Sequence, residues 1–205
     1  TQAFENGANL AIVEQIPEEI QNSNFSSQLI LVKNTQKALE KLAEFSRKRA
    51  NAKIIALTGS VGKTGTKEML KLAFSTQGKT FANSGNLNNH IGLPLSLSNL
   101  EADCEYAIFE MGMNHLNEIT HLSKIARPDV AIITNVGPVH IEFFKNEQEI
   151  ALAKSEIFAG LQQNGIAILN ADNIHFDFLK KQAESYKIKD SNIITFGNKN
   201  PADYQ

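Results

Sequence analysis

The sequence predicts an α/β fold, a doubly wound and mostly parallel sheet with a phosphate-binding loop. Three observations carry that expectation. From residue 53 onward short apolar runs alternate with helical patterns. Several of the runs, such as Val130-Ala131-Ile132-Ile133, are apolar at every position, as strands buried on both faces require. A glycine turn, Thr58-Gly59-Ser60-Val61-Gly62-Lys63-Thr64, joins one such run, Ile54-Ile55-Ala56-Leu57, to a helical stretch, Lys67-Glu68-Met69-Leu70-Lys71-Leu72.

In chain order, residues 10–13 and 28–32 read as short strands. Thr35 has the chemistry of an N-cap for a helix reaching about Arg49, with Ala38, Leu39, Leu42 and Phe45 on one face. This block, 1–50, lacks the punctuation of a whole domain and reads as the end of one; 51–205 reads as a second, incomplete domain. Strands are predicted at 53–57, 79–82, 106–111, 130–134, 165–169 and 192–196. Helices are predicted at 63–76, 115–126, 147–161 and 174–187, with a short one around Pro94 and residues 95–97. In such a sheet ligands bind beyond the carboxyl ends of the strands, so the residues that follow each strand are the candidates for function.

The 205 residues suffice for a sizeable core. A net charge of −2 offers no basic field for nucleic acid or an anionic membrane, and neither is an expected partner. The lone Cys104 rules out an internal disulfide and a cysteine metal cluster, and it suits a reducing, cytoplasmic setting. No apolar run approaches the roughly 20 residues that cross a bilayer, and no signal peptide is visible at Thr1. The chain starts without Met and stops in polar sequence, so both ends read as cuts in something longer.

The glycine turn has a definite chemistry. Glycines let backbone N–H groups turn onto phosphate oxygens, and the following helix adds a partial positive charge. Lys63 is placed to neutralise β- and γ-phosphates and Thr64 to reach Mg²⁺. The full phosphate-loop pattern wants Gly at position 57, where Leu57 stands, so this is a shortened G-x-x-G-K-T variant. The alternative is a plain turn whose lysine faces water; the strand before it and the helix after it favour phosphate.

Beyond the second predicted strand lies Asn83-Ser84-Gly85-Asn86-Leu87-Asn88-Asn89-His90. It is either an ordinary polar loop or one that presents Ser and Asn to a ligand or metal, and the residues alone leave both open. The third strand ends Ile108-Phe109-Glu110-Met111-Gly112. Glu110 suits a Mg²⁺ ligand beside Lys63 and Thr64; otherwise it caps a helix or pairs with a surface lysine. The fourth runs into Thr134-Asn135-Val136-Gly137-Pro138-Val139-His140, which puts His140 at the same rim, although a lone histidine is more often structural. His90, His115, His121 and His175 have less to recommend them. Nothing in composition or spacing singles out Lys154 on its predicted helix.

Five stretches occur in an order that resembles the Mur ligases of bacterial cell-wall synthesis. They are Thr58-Gly59-Ser60-Val61-Gly62-Lys63-Thr64, Gly85-Asn86-Leu87-Asn88-Asn89, Glu110-Met111-Gly112-Met113-Asn114-His115, Thr134-Asn135-Val136-Gly137-Pro138-Val139-His140 and Ala153-Lys154-Ser155-Glu156-Ile157-Phe158. The resemblance covers about 30–197. It implies a three-domain, ATP-dependent amide ligase of peptidoglycan synthesis, monomeric and cytoplasmic. Of that enzyme this chain holds the end of the UDP-substrate domain (1–50) and much of the central ATPase domain, without the last, so that the piece alone is expected to be inactive. The second and third stretches resemble the member that joins D-alanyl-D-alanine to UDP-N-acetylmuramoyl-tripeptide.

The resemblance further implies roles. Gly59, Ser60, Val61, Gly62, Lys63, Thr64 and Gly65 bind ATP phosphates. Thr64 and Glu110, with Ser84 nearby, hold one Mg²⁺, and Glu110 and His140 a second. Lys154 matches a lysine that carries a carbamate; an ammonium repels Mg²⁺, whereas a carbamate offers it an anionic oxygen. Lys63, Glu110, His140 and Lys154 are the implied catalytic set, and Asn86, Asn88 and Asn89 are implied substrate contacts. Gly65, Ile141-Glu142-Phe143-Phe144 and Ser155 depart from the family pattern without removing a proposed ligand. Rival readings are another Mur or folylpolyglutamate-type ligase, a phosphate-loop ATPase or GTPase switch, and a nucleotide-binding module without ligase activity.

Overall fold

A computed structural model describes residues 2–21, 23–139 and 141–205; His140 lies outside the described residues. A short helix α1 (Gln2–Glu5) is followed by β1 (Ala11–Val13), α2 (Glu18–Gln21), β2 (Leu29–Leu31) and the long helix α3 (Thr35–Arg49). Strands β1 and β2 pair in parallel, Ile12 beside Ile30. Then come β3 (Lys53–Thr58), α4 (Lys63–Ser75), β4 (Thr80–Ala82), α5 (Gly92–Ser98), β5 (Tyr106–Glu110), α6 (Glu118–Ala126) and β6 (Val130–Ile133). Helix α7 (Glu147–Ser155), β7 (Ile166–Asn170), α8 (Phe176–Ser185) and β8 (Ile193–Phe196) complete the chain. The six predicted strands from 53 onward all form, and they make one parallel sheet in the order β4-β5-β3-β6-β7-β8.

Alternation along β3 divides the packing. Ile54 and Ala56 face one side, where they meet Leu93 and Leu97 of α5, Ile119 and Leu122 of α6, Ile150 of α7 and Leu179 of α8 in the main core. Ile55 and Leu57 face the other, with Ile108 and Ile132, against Leu70 and Phe74 of α4. Burial on both faces is why these strands read as continuous apolar runs.

Four expectations need correction. The cap of α3 is Asn34, not Thr35: the Asn34 side chain accepts from the Lys37 N–H at 2.7 Å. The Thr35 hydroxyl is already engaged, donating to Glu14 Oε1 at 2.9 Å. The buried face of α3 is also different. Leu42 and Phe45 are 45% and 63% exposed, whereas Ala43 and Ser46 are buried. Helix α3 lies against α5, with the Ser46 hydroxyl donating to the Ser98 carbonyl at 2.9 Å, and close approach selects small residues over large ones. Helix α6 starts at Glu118 rather than 115, because Asn117 takes a left-handed turn, φ +70°, at its entry. The predicted helix 147–161 is α-helical only to Ser155 and tightens into a 3-10 turn, Glu156–Gly160.

That tightening fits the turn against α6. The Ser123 hydroxyl donates to the Ile157 carbonyl at 2.5 Å and accepts from the Gly160 N–H at 3.1 Å. A Cβ on Gly160 would sit 2.0 Å from the Ser123 carbonyl oxygen, a backbone atom that cannot swing away. Gly160→Ala is therefore expected to destabilise the protein by about 1–3 kcal/mol, read as a lowered midpoint in chemical denaturation.

Candidate functional site

The register of the sheet builds the site. Leu57 lies beside Glu110 on one flank, and Thr58 beside Ile133 on the other. The turn after β3 therefore opens onto the rim between Glu110 and Thr134. Helix α4 leads away toward β4 on one side of β3, while β6 connects to β7 on the other, so the chain splays apart here as it does at ligand crevices of open α/β sheets.

Two glycines shape the turn. A Cβ on Gly59 would lie 2.0 Å from Thr134 Oγ1 and 3.2 Å from the Asn135 backbone, so the turn is pressed against the strand β6 exit. Gly62, at φ +85°, bends the chain into α4. Crosslinks hold the turn in place: the Ser60 N–H donates to the Asn135 carbonyl at 2.8 Å, the Ser60 hydroxyl to the Gly137 carbonyl at 2.8 Å, and the Thr134 hydroxyl to the Val61 carbonyl at 2.7 Å. Asn173, between β7 and α8, braces the outer loop through Asn135 and the Val136 carbonyl.

Lys63 folds over this turn, its Nζ donating to the Gly59 carbonyl at 2.8 Å. The Thr64 hydroxyl donates to Glu110 Oε2 at 2.9 Å, and Asn88 Nδ2 donates to Glu110 Oε1 at 2.9 Å. Glu110 is buried, so both carboxylate oxygens are aimed by these donors. A cleft of about 250 Å³ opens beside them, lined by Gly59, Lys63, Asn88, Asn89, Gly112 and Lys154, among others.

Lys154 enters the cleft from α7. It is 3% exposed, and among the described residues no hydrogen bond or ion pair holds its ammonium. Burial, with the neighbouring Lys63 charge adding to it, pushes its pKa down to about 7. Two residues on, the Glu156 carboxylate accepts from the Asn117 N–H at 2.6 Å and the Thr120 N–H at 3.1 Å, which fixes the end of α7 to the start of α6.

The structure thus brings Gly59, Lys63, Asn88, Asn89 and Lys154 to one cleft, with Thr64 and Glu110 joined at its edge. Ser84 and Asn86 are exposed on the loop after β4 and do not line it. Gly65 is the third residue of α4. The Asn89 side chain accepts from the Ile91 and Gly92 N–H groups at 3.1 and 2.8 Å, so it ties down the turn that leads into α5 as well as facing the cleft. Sequence reasoning missed Asn83, Lys67, Thr134 and Asn173 as parts of this scaffold. Asn83 and Thr134 head the polar loops after β4 and β6, where residue type alone does not separate a brace from a solvated loop residue.

The donor set suits a nucleotide triphosphate with Mg²⁺. The cradle at Gly59, the left-handed Gly62, the Lys63 ammonium and a hydroxyl–carboxylate pair of hard oxygen ligands all fit. The bare Lys154 ammonium does not fit beside a cation and would have to be neutral or carbamylated. Lys63→Ala is expected to weaken ATP binding at least tenfold and slow turnover by about 10²–10³-fold, measured by nucleotide titration and ADP release.

Fold and rim together define a class: a parallel α/β domain of the phosphate-loop type. A model described as the Mur ligase middle domain matches residues 57–205, and the chain belongs to the Mur ligase family. It is 42% identical over 200 residues to a UDP-N-acetylmuramoyl-tripeptide–D-alanyl-D-alanine ligase of Rickettsia prowazekii, covering 98% of this chain and 43% of that protein. A crystal structure of MurF from Acinetobacter baumannii superposes with a TM-score of 0.85 at 36% identity, over 99% of this chain and 42% of that one. MurF from Thermotoga maritima in complex with ADP gives a TM-score of 0.81 at 34% identity, over 97% and 44%. The chain therefore spans under half the length of the relatives it matches. Among the described residues no helix is long and apolar enough to cross a membrane.

Proposed function

We propose that this chain is the nucleotide-binding part of an ATP-dependent ligase that joins D-alanyl-D-alanine to UDP-N-acetylmuramoyl-tripeptide in the cytoplasm. The observation that supports it most is the contact of Thr64 with Glu110 at the mouth of the glycine turn, with Lys63 and Lys154 in the adjoining cleft. The names of the similar proteins supply the substrates.

In the reaction a carboxylate oxygen of the tripeptide attacks the γ-phosphorus of ATP. The bond from the γ-phosphorus to the bridging oxygen breaks, and ADP leaves with that electron pair. The free amine of the dipeptide then adds to the carbonyl carbon of the acyl phosphate; the tetrahedral adduct loses a proton from its nitrogen to solvent and expels phosphate, which keeps the electron pair of the broken C–O bond, as the amide forms. In this reading the amides of residues 61–65, but not that of Ser60, which is spent on the Asn135 carbonyl, receive the phosphate oxygens, and Lys63 leaves the Gly59 carbonyl to neutralise developing charge on the β–γ bridge. Thr64 and Glu110 would hold Mg²⁺, which supplies charge neutralisation and alignment for the phosphates. His140 and carbamylated Lys154 are proposed for a second cation. A pKa near 7 leaves a large share of Lys154 as the free amine, the form that adds to CO₂ with loss of a proton. Asn88, which orients Glu110, and Asn89 are proposed to border the acceptor.

The test is ADP release by the full-length protein with each muropeptide precursor and each amino donor. Release that needs both UDP-N-acetylmuramoyl-tripeptide and D-alanyl-D-alanine is expected. Release without any acceptor, or only with another precursor, would overturn the assignment.

A further inference from the structure

Lys67 is among the largest fully buried side chains of the molecule, at 1% exposure. Lysine is almost never buried to that degree without a partner, because desolvating an ammonium is expensive and an apolar side chain would fill the space without that penalty. Lys67 stands three residues after Thr64 on α4, which places the two on the same side of the helix. Its Nζ donates to the Asn83 carbonyl at 2.8 Å and lies 3.3 Å from Glu68 Oε1, whose side chain is largely exposed.

Asn83 is itself buried at the end of β4, and its side chain does what a strand would do if β4 continued. Its Oδ1 accepts from the Glu110 N–H at 2.9 Å, and its Nδ2 donates to the Glu110 carbonyl at 3.2 Å and to the Leu87 carbonyl at 2.8 Å. The backbone of residue 110 is thus clamped on both its polar groups by one amide side chain. The orientation of that amide depends on the Asn83 backbone, which Lys67 holds from α4.

We propose that Lys67 is a positioning residue: through Asn83 it sets the place of the Glu110 carboxylate relative to Thr64. This rests on the reading of Glu110 as a Mg²⁺ ligand. One buried ammonium then ties the helix that follows the phosphate turn to the strand end that supplies the carboxylate, so the two halves of the cation site keep a fixed spacing.

The test is a Mn²⁺ titration followed by electron paramagnetic resonance, on the full-length protein with a non-hydrolysable ATP analogue present. Lys67→Met, Asn83→Ala, the double variant and Glu110→Gln are compared, with nucleotide affinity in the absence of metal as a control. Lys67→Met is expected to raise the half-saturating Mn²⁺ concentration about tenfold while metal-free nucleotide affinity changes less than twofold. Asn83→Ala is expected to do the same, and the double variant to exceed the larger single effect by less than twofold, since both act on one linkage. Lys67→Gln, which keeps a donor, is expected to recover part of the loss. It serves as the readout if Lys67→Met does not fold. Unchanged Mn²⁺ affinity in the Lys67 variants, or effects that multiply in the double variant, would overturn the proposal. Weakened Mn²⁺ binding in Glu110→Gln together with normal binding in Lys67→Met refutes the positioning role alone. Normal binding in Glu110→Gln removes the metal reading and this inference with it.

Discussion

Replacing Glu110 with alanine is expected to leave nucleotide affinity within a few fold of the wild type and to lower phosphoryl transfer by at least about 10³-fold. Among the described residues no cluster of three or more His, Cys, Asp or Glu side chains is gathered for a metal. A cation beside the Thr64–Glu110 contact would lean on the Glu110 carboxylate, the Thr64 hydroxyl and the phosphates, the sparse protein coordination that Mg²⁺ usually accepts. The phosphate cradle consists of backbone amides and Lys63, none of which depends on the carboxylate, and binding should survive. Glu110→Gln sharpens the experiment. It keeps an oxygen to accept from Thr64 but removes the charge. Loss of turnover in Glu110→Gln assigns the role to charge. Retained turnover would reduce Glu110 to a hydrogen-bonding prop and refute the metal assignment. The measurement is single-turnover ADP formation over a Mg²⁺ series, with analogue binding in parallel.

Lys154→Met is expected to abolish ligase turnover and at the same time to stabilise the nucleotide-free protein. The ammonium is buried without a partner among the described residues, and its pKa is pushed down to about 7 by burial and then by Lys63. In the unfolded chain it returns to about 10.4. Between these values the unfolded state binds the proton more tightly, so the stability of the wild-type protein rises with pH from about 7 to about 10. Below about pH 7 both states are protonated and the full cost of the buried charge is felt. Methionine removes that cost with little change of shape, a gain on the order of 2 kcal/mol. The gain should be largest at pH 6 and fade toward pH 10, as measured by chemical denaturation in CO₂-free buffer. A variant less stable than the wild type at pH 6 would mean that the ammonium has a partner and is not held in readiness for modification.

The fold was legible because two periods were clean. Strands buried on both faces gave unbroken apolar runs, and the intervening segments carried helical spacing, so the six strands of the main sheet fell within a residue of expectation. The glycine turn was equally legible, since few sequences place Gly-Lys-Thr between a buried strand and a helix. What escaped was decided by close packing. Leu42 and Phe45 promised a buried face on α3, but small Ala43 and Ser46 won it because α5 approaches there. Asn34 and Thr35 are both good caps, and the choice turned on Glu14, distant in sequence, engaging the threonine. Lys67 looked like any helical lysine, for no pattern in sequence marks a charge that folding will bury. Asn83 was one of several polar residues in a loop until β5 came alongside and gave its amide two backbone partners.

The turn 59–65 and Glu110 are proposed to form one receptor for a metal-bound triphosphate. A crystal structure with Mg²⁺ and a non-hydrolysable ATP analogue tests it most directly. The β- and γ-phosphates should lie against the amides of 61–65, with Lys63 swung from the Gly59 carbonyl onto them and a cation between Thr64 and Glu110. A nucleotide bound elsewhere, with Lys63 still on Gly59 and Thr64 still donating to Glu110, would contradict it.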